Sequence, residues 1–282
     1  MTAPSEISAS QARSTPNFAD DENMDIFGVR VDNIDEDKAF GLLHGYMVDR
    51  SSDSGARSVY FTNVHSIHLS QKDPSLRRFI SRADLALADG SGVSIAGKMA
   101  GNPIKANLNG TDLLPKLFGD CEDRGWTVYL FGAEERVLKL CLDQLAGRFP
   151  GLKIVGSHHG YVSEDTESMV IDEIKELKPD MLLVALGSPR QESWIDRHAS
   201  GLPVGICFAV GGLFDFMSGE KQRAPNWMRR FGIEWLYRLA IEPKGKWDRT
   251  FVEMPLFLTR VFLARFAPQF VTDFINRRIQ TH

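Results

Sequence analysis

The chain has 282 residues, of which 43% are hydrophobic and 25% are charged, a balance typical of a globular protein with one large domain or a domain and an appendage. Its three cysteines are widely spaced and form no CxxC pair, which argues against a disulfide framework or a zinc site and favours free thiols. No run of 18 or more uncharged apolar residues occurs, so the sequence supports no transmembrane helix.

The first residues are polar and small, and they include no apolar segment of the kind found in secretory signals. We predict a disordered tail over residues 1–24. Residues 25–32 then read as a short strand or the arm of a hairpin, and a polar, helix-like stretch follows to about Arg50.

Apolar, β-rich runs alternate with helical patterns such as residues 134–148 and 163–177. The predicted strands are 58–63, 85–89, 126–132, 152–157, 180–187 and 202–211. This alternation predicts βαβ units and an α/β fold, with a Rossmann-like, largely parallel sheet and helices on both faces. We expect the core to span residues 25–220.

In such a sheet, ligands bind beyond the carboxyl ends of the strands. Glycine-rich, polar loops follow five of the predicted strands, as a binding site requires, although tight βα turns also use glycine. These loops contain Thr62 and Asn63, Asp89 and Gly90, Gly132 and Ala133, Gly187 to Pro189, and Gly211 with Gly212.

Asp89 ends an apolar strand, where a carboxylate facing a cleft can act as a general base. The alternative is that it caps a helix beginning near Val93. Asn109 and Asp112 precede a helical run and have the residue types of a helix start, which can also hold an anion. Both segments are therefore candidate parts of the site.

Arg190, Gln191 and Glu192 follow the strand at 180–187. Gln191 and Glu192 can hydrogen-bond a sugar or a base, and Arg190 can bind a phosphate; alternatively, all three are solvated residues in the first turn of a helix. Asp215, flanked by aromatic residues after Gly211 and Gly212, can accept hydroxyl hydrogens of a sugar or serve a structural role.

Motifs for other chemistries are missing from the sequence. His65 and His68 form HxxH without the usual helical spacing or a third ligand, so we predict no metal site. No DxD lies at a strand end, and GxGxxG, P-loop and GxSxG motifs are absent, which argues against dinucleotide-dependent enzymes, ATPases and α/β-hydrolases.

Charge is distributed unevenly along the chain. Residues 221–282 contain twelve Lys or Arg against five Asp or Glu, although the whole chain has a net charge of -4. We predict a basic, helical C-terminal appendage over residues 221–282 with an anionic partner. Its last part, residues 250–278, has apolar stripes broken by arginines, which suits lying on an anionic bilayer or, alternatively, packing on the protein's own core.

Several of these segments together resemble the WecG/TagA/CpsF glycosyltransferases, glycosyltransferase family 26. The resemblance extends from about residue 25 to residue 249. The segments that carry it, in chain order, are LALADGSGV, NGTDLL, VYLFGA, LVALGSPRQESWI, VGGLFDFMSGEKQRAP and FGIEWLYRLAIEP.

The resemblance implies an inverting transferase that uses a UDP-sugar and a polyprenyl-diphosphate-linked sugar acceptor in surface polysaccharide synthesis, without a metal cofactor or nucleic-acid partner. It implies a peripheral protein on the cytoplasmic face of the membrane; homo-oligomers are left open. It assigns Asp89 as the base and matches Thr62 and Gln191 to catalytic-site residues of the family. Arg223 and Arg238 match appendage arginines that close over the donor diphosphate.

One position departs from the family pattern. Many members have an arginine a few residues before the G-x-D motif, where this chain has Asn107, with Lys105 nearby. Lys105 can supply a point charge but not the bidentate fork of an arginine. Two other function classes are weighed beside the transferase: a Rossmann-like nucleotide-binding module with a basic membrane- or nucleic-acid-docking tail, and a nucleotide-dependent oxidoreductase.

Overall fold

The computed structural model describes residues 22–49, 55–225, 227–228, 234–242 and 247–266. Its eight strands form one sheet. They are β1 (Asn23–Asp25), β2 (Arg30–Asp32), β3 (Arg57–Thr62), β4 (Leu85–Ala88), β5 (Thr127–Gly132), β6 (Lys153–His158), β7 (Met181–Ala185) and β8 (Ile206–Ala209).

Helices separate most of the strands. They are α1 (Glu36–Val48), α2 (Val64–Ser70), α3 (Pro74–Arg82), α4 (Ser91–Ala100), α5 (Gly110–Arg124), α6 (Glu135–Arg148), α7 (Glu164–Leu177), α8 (Arg190–His198), α9 (Leu213–Met217), α10 (Glu234–Ile241) and α11 (Met254–Phe266). A wide helical turn, Arg249–Glu253, precedes α11.

The helix boundaries follow from capping residues. Asp35 caps α1 and Ser163 caps α7, each accepting a hydrogen bond from a backbone N–H in the first turn. Asp73 caps α3, and Pro74 occupies its first position, where no N–H is needed. Gly125 ends α5 in the left-handed conformation that glycine adopts without strain. The predicted helices at 134–148 and 163–177 are thereby confirmed.

The strand order in the sheet is β1-β2-β4-β3-β8-β7-β5-β6. All neighbours are parallel except the β1–β2 hairpin. β3 and β8 are adjacent in the middle, and the chain continues from β3 to β4 on one side but enters β8 from β7 on the other. Such a change of direction leaves a crevice at the carboxyl ends of the central strands.

Two hydrophobic layers cover the two faces of the sheet. In β3, Tyr60 packs with one layer, whereas Val59 and Phe61 pack with the other, as the two-residue period of a strand requires. Residues of α2, α3, α4, α7, α8 and α11 belong to the first layer. Residues of α1, α5, α6 and α9 belong to the second.

The predicted α/β fold, with a mostly parallel sheet and helices on both faces, is therefore confirmed. Strand β1 begins at Asn23, inside the stretch for which we predicted a disordered tail; residues 1–21 of that tail lie outside the described part of the chain. β8 is shorter than predicted because the first residues of the 202–211 run, including Pro203 and Gly205, form a loop. The three cysteines are free and buried.

Candidate active site

The predicted loops meet at one edge of the sheet, because strands β3, β4, β5, β7 and β8 run parallel and end there. The loops after β4, β3 and β8 lie side by side in the middle of this edge. The turns after β7 and β5 continue it, and the segment before α5 adjoins it, since Leu108 N–H donates to Ala88 O over 2.8 Å.

Asp89 stands directly after β4 and is partly exposed. Its N–H donates to Thr62 O over 2.9 Å, and its carboxylate Oδ2 accepts from Asn63 Nδ2 over 3.2 Å. Helix α4 begins at Ser91 with Gly90 at the N-cap and no side-chain cap. The alternative of Asp89 as the cap of this helix is therefore wrong, and its carboxylate stays at the sheet edge.

The amide of Asn63 can point in only one direction. Its Oδ1 accepts from Ser66 N–H at 3.0 Å as the cap of α2, and the Ser66 hydroxyl accepts from Asn63 N–H in return. Because a backbone N–H can only donate, the other end of the amide, the NH2 group, must face Asp89. Asn63 therefore donates to the Asp89 carboxylate and restrains its orientation.

Thr62 lies beneath Asp89 at the end of β3 and is fully buried. Its Oγ1 has no hydrogen-bond partner within the described residues. Since its carbonyl holds the backbone of Asp89, the contact that the structure shows is one of positioning; its predicted catalytic role stays a prediction.

Asn109 caps α5, as the sequence predicts. Its Oδ1 accepts from Asp112 N–H and the Thr111 hydroxyl, and its Nδ2 donates to the Asp112 carboxylate at 2.8 Å. Arg223 reaches the same helix end: its Nη1 donates to Asp112 Oδ1 at 2.7 Å and to Thr111 O at 3.2 Å. The start of the C-terminal appendage is thus held at the N-terminus of α5 by Arg223.

Helix α8 gives Gln191 and Glu192 buried positions, with 3% and 1% exposure. Gln191 Oε1 accepts from Gly211 N–H, and its Nε2 donates to Glu192 Oε1, both at 2.9 Å. The alternative of solvated first-turn residues is therefore wrong for these two side chains, whereas Arg190 is exposed and donates to Gly160 O at 3.3 Å. Gln191 holds the turn after β8 in place.

Glu192 carries a second carboxylate oxygen, Oε2, that makes no hydrogen bond of normal length within the described residues. Burial raises the pKa of Glu192 above its ordinary value, and the side chains of Gln191, Ser188 and Tyr60 offset part of that increase. This carboxyl is therefore a poor site for a permanent charge.

The glycine turns allow close approach of the backbone. At Gly132 a Cβ atom would lie 2.3 Å from Ala185 O, so no other residue fits there without a backbone shift. Gly211 has a φ of 55°, and Gly187 and Gly212 are exposed at least in part at the same edge.

Asp215 on α9 lies 3.5 Å from the ammonium of Lys221. It is partly exposed, so both of its predicted roles, accepting sugar hydroxyls and serving structure, stay open. The Arg238 side chain lies outside the described residues, although its backbone is part of α10.

The first of the HxxH histidines lies beside a carboxylate. His65 Nδ1 lies 2.9 Å from the Glu253 carboxylate. Among the residues that the structure describes, no group of three or more His, Cys, Asp or Glu side chains could hold a metal ion. Metal independence itself stays a prediction.

Asn107, noticed in the sequence only as a departure from the family pattern, contacts the turn that follows Asp89. Its Oδ1 accepts from Gly90 N–H at 2.7 Å. The Lys105 ammonium lies 3.6 Å from Glu22 and its N–H donates to Asn33 Oδ1, and its role as a substitute charge stays a prediction. No local signal predicts the Asn107 contact, because it joins two loops brought together only by the sheet.

The fold and this edge define an open α/β protein with a carboxylate, Asp89, at the end of the sheet where its central strands finish. A family model described as the glycosyl transferase WecG/TagA/CpsF family matches residues 24–270. The chain therefore belongs to the WecG/TagA/CpsF glycosyltransferase family and is a glycosyltransferase. Family membership decides against the docking-module and oxidoreductase alternatives.

Three curated relatives carry the same name, N-acetylglucosaminyldiphosphoundecaprenol N-acetyl-beta-D-mannosaminyltransferase. The protein from Bacillus spizizenii is 35% identical over 190 residues, covering 67% of this chain and 72% of the relative. The protein from Bacillus subtilis is 34% identical over 63% of this chain and 68% of the relative. The protein from Staphylococcus aureus strain NCTC 8325 is 27% identical over 86% and 93%.

Proposed function

We propose that this chain is an inverting glycosyltransferase that moves a hexose-type sugar from a UDP-sugar to a sugar carried on polyprenyl diphosphate, in the synthesis of a surface polysaccharide. The observation that carries the proposal is Asp89, a carboxylate held by an amide donor at the crevice of a glycosyltransferase fold. The names of the relatives support a lipid-diphosphate acceptor and an N-acetylhexosamine donor.

In the proposed reaction, the Asp89 carboxylate removes the proton from an acceptor hydroxyl. The hydroxyl oxygen forms a bond to the anomeric carbon of the donor from the face opposite UDP, while the bond from that carbon to the diphosphate oxygen breaks. UDP leaves with the bonding electron pair, and the anomeric configuration is inverted. General-base catalysis of this kind contributes about 10²–10⁴-fold in rate.

The leaving diphosphate gains negative charge, which cations and backbone N–H groups can stabilise. Arg223 is placed at the N-terminus of α5, beside the loop that adjoins Asp89. We propose that Arg223 and Arg238 contact the diphosphate and that residues 221–249 close over the donor. The turns at Gly132, Gly187 and Gly211 would then offer their backbone to the donor.

The C-terminal helix supports a membrane-surface location, because its two faces differ. Phe257 and Val261 are buried in the first hydrophobic layer with residues of α2 and α4. The opposite face exposes apolar side chains to the surroundings: Leu256, Phe262 and Phe266 on α11, and Phe251 and Val252 just before it. Packing on the core uses one face of this helix, and the lipid contact that we propose would use the other.

None of the helices in the described part of the chain is long and apolar enough to span a membrane. A helix that exposes phenylalanines and carries arginines can lie in the interface of an anionic bilayer. We propose that the protein works peripherally at the cytoplasmic face, where a polyprenyl-linked acceptor presents its sugar.

The test is a transfer assay with a polyprenyl-diphosphate-linked N-acetylglucosamine acceptor and a panel of UDP-sugars: glucose, N-acetylmannosamine and its uronic acid. Acceptor-dependent release of UDP with one donor, and a product of inverted anomeric configuration, are the expected results. Absence of UDP release with every donor, for a folded protein presented with acceptor in bilayers, would contradict the proposal.

A further inference from the structure

Asn107 reaches the turn that carries Asp89 although the two residues belong to different loops. Its side-chain Oδ1 accepts a hydrogen bond from Gly90 N–H at 2.7 Å. The next residue of the same loop, Leu108, donates its N–H to Ala88 O at 2.8 Å. The loop that contains Asn107 is therefore fastened along the end of β4 and supports the turn from the side.

This turn depends on support from outside. Gly90 has a φ of 91° and stands at the N-cap of α4, which has no side-chain cap. A glycine allows many backbone conformations, so its neighbours rather than its own sterics fix the turn. Within the described residues, the acceptor for the Gly90 N–H is Asn107.

The hydrogen bond matters for Asp89 because the Gly90 N–H belongs to the planar peptide unit that follows Asp89. The preceding peptide unit is held by the bond from Asp89 N–H to Thr62 O at 2.9 Å. With both planes fixed, the direction of the bond from Cα to Cβ of Asp89 is fixed as well. Asn63 then orients the carboxylate at the end of that bond.

We propose that Asn107 is a positioning residue for the transfer reaction: through the Gly90 N–H it aims the Asp89 carboxylate at the acceptor hydroxyl. The proposal rests on the proposed function, since it takes Asp89 as the base. It also explains what an asparagine contributes at a position where the family pattern has an arginine. An arginine has no acceptor atom and cannot make this contact.

The test compares kcat and the donor KM of Asn107→Ala and Asn107→Asp with the wild-type enzyme, using the transfer assay across a pH series. Asn107→Ala loses the acceptor, so kcat should fall about 10-fold with the donor KM within about 2-fold, because small misplacements of a catalytic group cost up to ~10²-fold. Asn107→Asp keeps the acceptor and should recover kcat to within about 3-fold of wild type on the pH plateau.

The Asp variant supplies a second readout. A new carboxylate beside the turn disfavours ionisation of Asp89, so the acid limb of the pH–rate profile should move to higher pH. This shift reports that position 107 lies close to Asp89, whereas recovery of kcat relative to Asn107→Ala reports the positioning role. Gln144→Ala, on the exposed surface of α6, is the matched control and should leave kcat and the profile unchanged.

Asp89→Asn is measured in parallel to separate the two ideas. Wild-type turnover of Asn107→Ala beside an inactive Asp89→Asn overturns the role of Asn107 and leaves the proposed function standing. Wild-type turnover of Asp89→Asn overturns the base itself. An Asn107→Asp enzyme as slow as the Ala variant also overturns the positioning role. If Asn107→Ala does not fold, the test rests on Asn107→Asp. An acid limb of its pH–rate profile at the wild-type position then contradicts the proposal.

Discussion

Asp89 is the residue that we propose as the base of the transfer reaction, and its surroundings define a clear expectation. In Asp89→Asn the side chain keeps its shape and can still accept from Asn63 Nδ2, whose donated hydrogen bond is 3.2 Å in the structure. Only the proton acceptor is lost, so kcat should fall about 10²–10⁴-fold with the melting temperature unchanged. Steady-state transfer kinetics and circular dichroism measure the two quantities; turnover near the wild-type rate would rule out the assignment.

For Glu192 the prediction concerns folding stability and its dependence on pH, not the rate of the reaction. Burial raises the pKa of Glu192 in the folded state, so the folded protein favours the protonated carboxyl. At pH values above the folded-state pKa the buried carboxyl must carry a charge, which lowers the free energy of unfolding. The penalty disappears as pH falls through that pKa towards the unfolded value near 4.5. Glu192→Gln, which stays neutral, should therefore be about 1–3 kcal/mol more stable at pH 8.

Urea unfolding of the Glu192→Gln variant and the wild type at several pH values checks this sign. The difference in the free energy of unfolding should shrink as the pH is lowered to about 4.5, the unfolded-state value. A difference that is constant with pH, or a variant less stable at pH 8, would contradict a buried carboxyl that resists charge.

At single positions the sequence predicts where side chains stand better than what they touch. Asp89, Asn109 and Gln191 follow strands or begin helices as expected, since strand ends and caps are local features. That Gln191 would bind Gly211 N–H could not be predicted, because the contact joins loops after different strands.

Helix α11 has one face packed on the core and another face that is exposed. The exposed face carries Leu256, Phe262 and Phe266, with 47%, 51% and 62% exposure. Replacing all three with serine removes apolar area that lipid would bury, about 1.5–3 kcal/mol for each side chain if fully buried. Partitioning into vesicles of phosphatidylglycerol and phosphatidylethanolamine should then weaken by at least about 10-fold.

Met169→Ser is the control for that measurement, because Met169 is 71% exposed on α7, away from the C-terminal segment. It should leave vesicle binding unchanged in sedimentation or flotation assays. Equal binding by the triple variant and the wild type would show that this face of α11 does not contact lipid.

Among the elements, the parallel strands and their helices were predictable because each is defined by a period of apolar residues along a short stretch. A C-terminal helix was also expected, but packing on the core and lipid contact were posed as alternatives. The choice between them depends on which face meets α2 and α4, and that is set by tertiary structure that no periodicity encodes. The remaining residues of the appendage, 267–282, lie outside the described part of the chain.

For the whole molecule, the C-terminal segment is part of the core and not only an attachment. Truncation after Arg249 removes Phe257 and Val261, which are 5% and 7% exposed. It also removes the carboxylate of Glu253 from His65. The loss of a buried phenylalanine alone costs about 3–5 kcal/mol, so the truncated chain should melt at a clearly lower temperature; an unchanged melting temperature would contradict this.

The two ends of the described chain also meet. Phe257 of α11 packs edge to face against Phe27 of the β1–β2 hairpin, with ring centroids 6.1 Å apart, and Arg260 lies over the same ring at 4.4 Å. During synthesis the hairpin leaves the ribosome about 230 residues before its partner helix, the separation of Phe27 and Phe257 along the chain. The hairpin therefore stays partly uncovered until α11 has been made, and a chain that stops before α11 lacks this cover.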